Sequence, residues 1–221
     1  MTIRPAHAAS TRPLVVVGSG GHGRVVVDAA RAAGRAVVGF SDADPALRGE
    51  TVLGVAVLAT TVDETVALCR AEGAEVVLAV GDNRRRASLH DELAGRGVDL
   101  GSVLHPTAVI AASASLGRGT VVFAGVIVNA GAMIGEDVIL NTGARVDHDA
   151  RIGAHAHLSP GVTLGGTVTV GEGAHLGVGV SVRNDTTIGA WTTVGVGAAV
   201  VADLPAGVVA HGVPARVIRP A

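Results

Sequence analysis

From Leu104 to Val200 a leucine, isoleucine or valine stands at every sixth position, seventeen times in succession, and no insertion breaks the phase. A small or β-compatible residue follows four positions later, as at Ala108, Thr120, Ala132, Ala144 and Ala174, and Gly or Asn often comes directly after the aliphatic residue, as at Gly117, Asn141 and Gly171. A run of ordinary short strands in a sandwich has no reason to keep such a rhythm. A six-residue unit of short strand and corner does, because three such edges close a triangular coil of 18 residues. The aliphatic side chain then fills the axis, and each coil covers its neighbour's core. The spacing therefore predicts a parallel β-helix over residues 104–204, with residues 205–221 as a C-terminal tail.

Composition agrees with a thin, layered core. The chain of 221 residues holds 32 glycines, one Trp, two Phe and no Tyr, so Val, Ile, Leu and Ala must supply the buried surface. All 17 basic residues are arginine, which excludes Schiff-base and P-loop lysine chemistry. A formal net charge of -2 gives no broad attraction for nucleic acid or an anionic membrane, so any anion site must be local. The single cysteine, Cys69, excludes an intrachain disulfide, and neither a signal-peptide pattern nor a run of 18 apolar residues is present. A cytoplasmic protein is expected.

The first half reads differently. Residues 1–12 are expected to be a disordered leader, and residues 13–103 a small Rossmann-like parallel-sheet domain. Leu14 to Val17 forms a buried strand, followed by the turn Gly18-Ser19-Gly20-Gly21-His22-Gly23 and an apolar helical pattern that stops at Gly34. A strand over residues 36–40 runs into Ser41-Asp42. A helix over 62–72 precedes a strand over 75–80 that ends in Gly81-Asp82-Asn83. A helix over 84–94 leads to a strand over 98–103. Glycines at a strand-to-helix turn let backbone N–H groups approach an anion at the positive end of the helix. Ser19, Gly20, Gly21, His22, Asp42, Gly81 and Asn83 would converge on the carboxyl edge of one sheet and form a nucleotide-sugar cradle. The turn also satisfies G-x-G-x-x-G with Asp42 some way on, so a dinucleotide site is the alternative. The unit is too short for a full two-half dinucleotide domain, which favours a mononucleotide or nucleotide sugar.

Together with His105-Pro106, Asn141-Thr142-Gly143, Asp147-His148-Asp149 and the terminal Gly212-Val213-Pro214-Ala215, these motifs resemble the NeuD/PglD-type hexapeptide-repeat sugar acyltransferases from Leu14 onward. The resemblance implies a left-handed β-helix that uses acetyl-CoA as co-substrate, no metal, and a homotrimer with active sites between protomers. It also implies an N-terminal domain holding a nucleotide-linked amino sugar. Members acting on GDP-perosamine or on a UDP-linked bacillosamine precursor are the most similar, which makes N-acetylation of a 4-amino-4,6-dideoxy sugar the expected reaction. A sialic acid O-acetyltransferase and a non-catalytic nucleotide-binding scaffold are the alternatives.

The resemblance places the base at His148, with Asp149 as its acidic neighbour. It places coenzyme contacts at His157, Val178 and Val196, and a polar group near the sugar at Asn141. The base would take the amine's proton either before attack or as the tetrahedral intermediate forms. Residues 18 apart stack about 4.8 Å apart on successive coils, which sets Gly166 over His148. The Gly166 N–H is then a candidate oxyanion donor, and Val178 and Val196 form a backbone ladder suited to a pantetheine arm. Asp147-His148-Asp149 with His155 and His157 matches no standard zinc spacing. His90, His155 and His175 are expected at the surface or an interface. Arg84 to Arg86 reads either as a phosphate clamp or as the charged first turn of an exposed helix, and Trp191 as a subunit contact.

Overall fold

The computed structural model describes residues 10–221, so positions 1–9 of the expected leader lie outside the described residues. At the leader's end, Arg12 corrects the expectation of disorder. Its guanidinium donates to the carbonyls of Gly73 (2.9 Å) and Ala74 (3.2 Å) and to Asp99, which fixes it to the amino edge of a sheet. The chain divides into two compact units, one up to Pro106 and one from Thr107.

The first unit is an α/β domain. Its elements are β1 (Leu14–Val17), α1 (Gly21–Ala32), β2 (Val37–Ser41), β3 (Thr51–Val52), β4 (Val55–Ala59), α2 (Val62–Glu72), β5 (Glu75–Leu78), α3 (Asn83–Gly95) and β6 (Val103–Leu104). The sheet order is β3-β4-β2-β1-β5. Only the β3–β4 hairpin is antiparallel; β4, β2, β1 and β5 run parallel, so their carboxyl ends share one edge. Strands β1 and β5 are nearly continuous aliphatic runs, as parallel strands covered on both faces require. Val15, Val66, Val76, Leu78 and Leu93 form one core cluster with Cys69, whose thiol burial pushes up to about 11 and so keeps out of nucleophilic chemistry.

Two differences from the sequence reading have local causes. The β3–β4 hairpin was not expected; Leu53 and Gly54, both at positive φ, turn the chain within two residues. Of the strand expected over 98–103, a single bridge between Leu100 and Val76 joins the sheet, and Val103 belongs to the separate β6. Gly97 at positive φ cuts the segment short on one side. Gly101 does so on the other, packed where a Cβ would lie 2.8 Å from Glu75 Oε2.

The second unit is a left-handed parallel β-helix. Sixteen two-residue strands, β7 (Val109–Ile110) to β22 (Ala199–Val200), follow at six-residue intervals, and each pairs in register with the strand 18 residues away. Three faces result. Face I is β7-β10-β13-β16-β19-β22, face II is β8-β11-β14-β17-β20, and face III includes β9-β12-β15-β18-β21. From Val122 onward the aliphatic residue of each repeat is buried, and so is the residue four positions after it: Ala132, Ala144, Ala150, Ala156 and Ala174 are all at 0 % exposure. Both positions therefore point to the axis. Face III is extended by β23 (Val208–Gly212), parallel to β21, and by β24 (Ala215–Pro220), antiparallel to β23.

Each corner contains one residue in the left-handed backbone region, at every sixth position from Gly119 to Gly197. Glycine adopts this conformation without steric cost, whereas other residues do not. The corner between faces III and I has glycine throughout: Gly125, Gly143, Gly161, Gly179 and Gly197. The corner between faces I and II has Gly131, Asp149, Thr167 and Asp185 instead.

Candidate active site

His148 and Gly166 lie in one column of the corner between faces I and II, and Thr167 N donates to His148 O (2.9 Å) to tie their coils together. The imidazole lies over the glycine so closely that a Cβ on Gly166 would sit 2.5 Å from Nε2 and 2.6 Å from Cε1. Any larger residue here would displace the histidine ring from this position. At its other nitrogen, His148 Nδ1 meets Asp149 Oδ2 at 2.9 Å, which selects the tautomer with the proton on Nδ1 and a lone pair on Nε2. The hydrogen bond to Asp149 holds the His148 pKa above the ordinary imidazole value; slight desolvation opposes it, and the charges of Asp147, Asp149 and Asp185 add to it. Asp147 is kept ionised below its usual range by the Asn129 amide and by the His148 backbone N–H.

Backbone donors distinguish the corner positions. The His148 and Thr142 N–H groups are taken by the side chains of Asp147 and Asn141, and Pro160 has none. Those of Gly166, Val178 and Val196 have no acceptor among the described residues. Val178 and Val196 stand in one column of the corner between faces III and I, 49 % and 76 % exposed, beside glycines at which a Cβ would meet nothing within 4 Å. The backbone ladder expected there is present: Gly179 N donates to Pro160 O (3.0 Å) and Gly197 N to Val178 O (2.8 Å). On face III, Asn141 Nδ2 and His157 Nε2 approach to 3.2 Å, and the His157 and His175 rings stack with centroids 4.8 Å apart.

In the α/β domain, Asp42 accepts from both the backbone N–H and the hydroxyl of Ser19, at 2.8 and 2.6 Å. Burial alone would raise the Asp42 carboxyl; the two Ser19 bonds, the Asp44 amide and the charge of Arg85 outweigh it and hold the group below its usual value. Gly18 and Gly23 are needed for packing, since a Cβ would lie 2.7 Å from Ala79 O at the first and 2.0 Å from Gly18 O at the second. Gly20, Gly21 and Gly81 face open space. Helix α1 has neither a side-chain cap nor an acidic first turn, whereas Thr61 caps α2 and Asp82 caps α3, so α1 alone leaves its positive end open to an anion. Burial, helped by the Arg86 charge, lowers His22 to about 4 and keeps it a neutral imidazole at working pH.

Comparison with known proteins follows from this geometry. Residues 13–93 match the PglD N-terminal domain family. PerB from Caulobacter crescentus, solved with CoA and GDP-perosamine, shares 45 % identity over 96 % of this chain and 99 % of that one, with a TM-score of 0.87. The acetyltransferase domain of PglB from Neisseria gonorrhoeae shares 38 % identity over 94 % and 100 %, also at 0.87. WeeI from Acinetobacter baumannii shares 27 % over 94 % and 100 %, at 0.84. Among curated proteins no match is found.

The chain belongs to the NeuD/PglD-type sugar acyltransferases.

Membership makes it an acetyltransferase. The expected residues can be located one by one in the structure. The structure brings His148, Asp149 and Gly166 together, sets Asn141 against His157, stacks Val178 and Val196 in one column, and joins Ser19 to Asp42. It does not gather all the expected coenzyme residues: Gly166 is at the corner between faces I and II, whereas Val178 and Val196 are at the corner between faces III and I, one side of the triangle away. Several side chains depart from their expected surroundings. Arg86 is fully buried, donating to Val80 O (3.1 Å) and Asn83 Oδ1 (2.9 Å), and so is neither an exposed helix residue nor a free clamp. His90 and His155 are each only 8 % exposed, and His155 Nδ1 meets the buried Asp137 at 2.9 Å. Trp191 is not among these: its ring packs on Gly173 of the preceding coil, where a Cβ would lie 2.2 Å from it, and its half-buried position leaves a face for the expected subunit contact. The sequence reading missed Thr167 and Asp185. Their only signal is that the left-handed column, read every sixth residue, departs from glycine there.

Proposed function

We propose that this chain transfers the acetyl group of acetyl-CoA to the amine of a nucleotide-linked 4-amino-4,6-dideoxy sugar, with GDP-perosamine as the first acceptor to test. The observation that carries it is the imidazole of His148 lying on the bare Gly166 backbone, with its tautomer held by Asp149. Thioester aminolysis needs a group to take the proton from nitrogen and a donor for the oxygen that becomes negative. His148 Nε2 supplies the first and the Gly166 N–H the second. Asp149 does not take the proton; its charge stabilises the imidazolium that forms.

The residues for the coenzyme arm are His157, on face III, and Val178 and Val196, at the corner between faces III and I. A second copy of the chain, its glycine-lined corner set against the His148 corner of the first, unites the two sets. Such a head-to-tail contact closes into a ring where the rotation between copies is one third of a turn, and a homotrimer with active sites between protomers is the assembly that meets this requirement. Ser19, Gly20, Gly21 and His22, at the open end of α1, would receive the diphosphate of the sugar nucleotide, with Asp42, Gly81 and Asn83 on the same sheet edge. No helix among the described residues is long and apolar enough to cross a membrane, which is compatible with a cytoplasmic step in polysaccharide assembly.

Thiol release measured with UDP-, GDP- and dTDP-linked 4-amino sugars and with free sialic acid tests the reading. Turnover on a nucleotide-linked amine, strongest with GDP-perosamine, is expected. Turnover on sialic acid alone would move the assignment to O-acetylation.

A further inference from the structure

Among the described non-glycine residues at positive φ, Thr167 is the one with a β-branched side chain, at φ +58°. That combination is a true outlier, because the branched Cβ crowds the backbone. Five glycines adopt the same conformation at the corner between faces III and I, so the coil itself does not need threonine. Backbone strain of this kind persists only where the surroundings over-determine it, and it concentrates at functional sites.

The surroundings of Thr167 are specific. Its N–H donates to His148 O (2.9 Å). Its hydroxyl proton is shared between Gly166 O (2.6 Å) and the Asp185 carboxylate. Asp185 N in turn donates to Gly166 O (3.1 Å). The peptide joining Gly166 to Thr167 is thus held at both ends, its carbonyl by Thr167 Oγ1 and Asp185 N and its N–H by the His148 carbonyl. Both groups assigned to the chemistry, the His148 imidazole and the Gly166 N–H, hang from backbone that this one peptide connects.

We infer that Thr167 is a positioning residue for acyl transfer, its hydroxyl fixing the Gly166–Thr167 peptide so that base and oxyanion donor keep their relative placement. The inference rests on the roles proposed above for His148 and Gly166. Thr167 touches no substrate in this account; it acts through the peptide. Replacing it should therefore cost turnover without weakening the capture of either substrate, because small misplacements of reacting groups are expensive.

The test uses Thr167→Ser, Thr167→Val and Thr167→Gly in the full chain, with steady-state kinetics per folded enzyme and a thermal melt for each. Thr167→Ser keeps the hydroxyl and should retain kcat. Thr167→Val keeps the shape without the hydroxyl, and Thr167→Gly removes both hydroxyl and strain. Both should lose about tenfold in kcat, less than the roughly hundredfold cost of deleting an oxyanion donor outright. KM for acetyl-CoA and for the amino sugar should stay unchanged, and the glycine variant should melt no lower than Thr167→Val. Unchanged kcat in the valine and glycine variants, or a loss in the serine variant equal to that in valine, would overturn the inference. His148→Ala is assayed alongside. If it keeps full turnover, the site assignment fails and takes the inference with it; if it is inactive while the Thr167 variants are normal, only the inference fails.

Discussion

Two corners of the same coil share one backbone path and differ in nearly everything else. Between faces III and I the left-handed position is glycine at every turn from Gly125 to Gly197, and the residues beside it leave bare N–H groups at Val178 and Val196. Between faces I and II the same position holds Asp149, Thr167 and Asp185, and the column beside it holds His148 over Gly166. The repeat fixes the path of the chain, and chemistry enters where residues depart from it. A glycine corner is a smooth wall for a flexible ligand to lie along. A decorated corner is a place where groups are held still.

Breaking the decorated corner should have the largest effect. His148→Ala is expected to lower kcat by about 10²–10⁴-fold, the usual range for losing a general base, with the KM for acetyl-CoA nearly unchanged in steady-state assays. Mixing that variant with Val196→Arg, dissociated and reassembled together, should restore part of the lost turnover if the two corners of different copies form one site. No recovery above the separate proteins would place both corners in a single-chain site. Next in size comes Gly166→Ala, whose Cβ would occupy the position 2.5 Å from His148 Nε2 and push the ring aside. Turnover should fall by about tenfold or more, and wild-type kinetics would remove Gly166 from the chemistry.

Asp149→Asn sharpens the comparison electrostatically. Because Asp149 holds the His148 pKa above its ordinary value, the wild-type acid limb of kcat/KM should lie above the usual imidazole range. Below that limb the base is protonated and activity is lost. Removing the carboxylate lowers the pKa, so the limb should shift to lower pH while maximal turnover falls; a limb that stays in place would detach Asp149 from the base. The smallest effect belongs to the bare corner. Gly179→Ala adds a Cβ that meets nothing within 4 Å, so its stability cost is the left-handed conformation alone, about 1 kcal/mol. It should raise the KM for acetyl-CoA and leave kcat intact.

How much of this was legible in the sequence follows from which rules repeat. The period of six gave the three faces, and every register between β7 and β22 keeps the offset of 18 that the pattern implies. His148, Asp149 and Gly166 could be set together from that offset. Which corner each residue occupies could also have been counted, and doing so would have separated Gly166 from Val178 and Val196. Other features depend on partners far along the chain. Arg86 reads as one of three exposed charges, yet it is drawn inside by Val80 O and Asn83. His155 looks like a surface residue until the coil places the buried carboxylate of Asp137 directly beneath it. Thr167 breaks the preference for glycine, and no local propensity could have announced it.

The C-terminal hairpin has a consequence for the molecule as a material. A parallel solenoid ends in a row of unpaired backbone groups, which another chain could extend indefinitely. On face III that row is taken by β23 and then by β24, which runs the opposite way and bears Arg216, Arg219 and Pro220 on the outermost strand. Reversed direction, charge and a missing N–H make a poor template for further growth. On that face the coil therefore presents, beyond its last parallel strand, an edge to which a further strand would pair poorly.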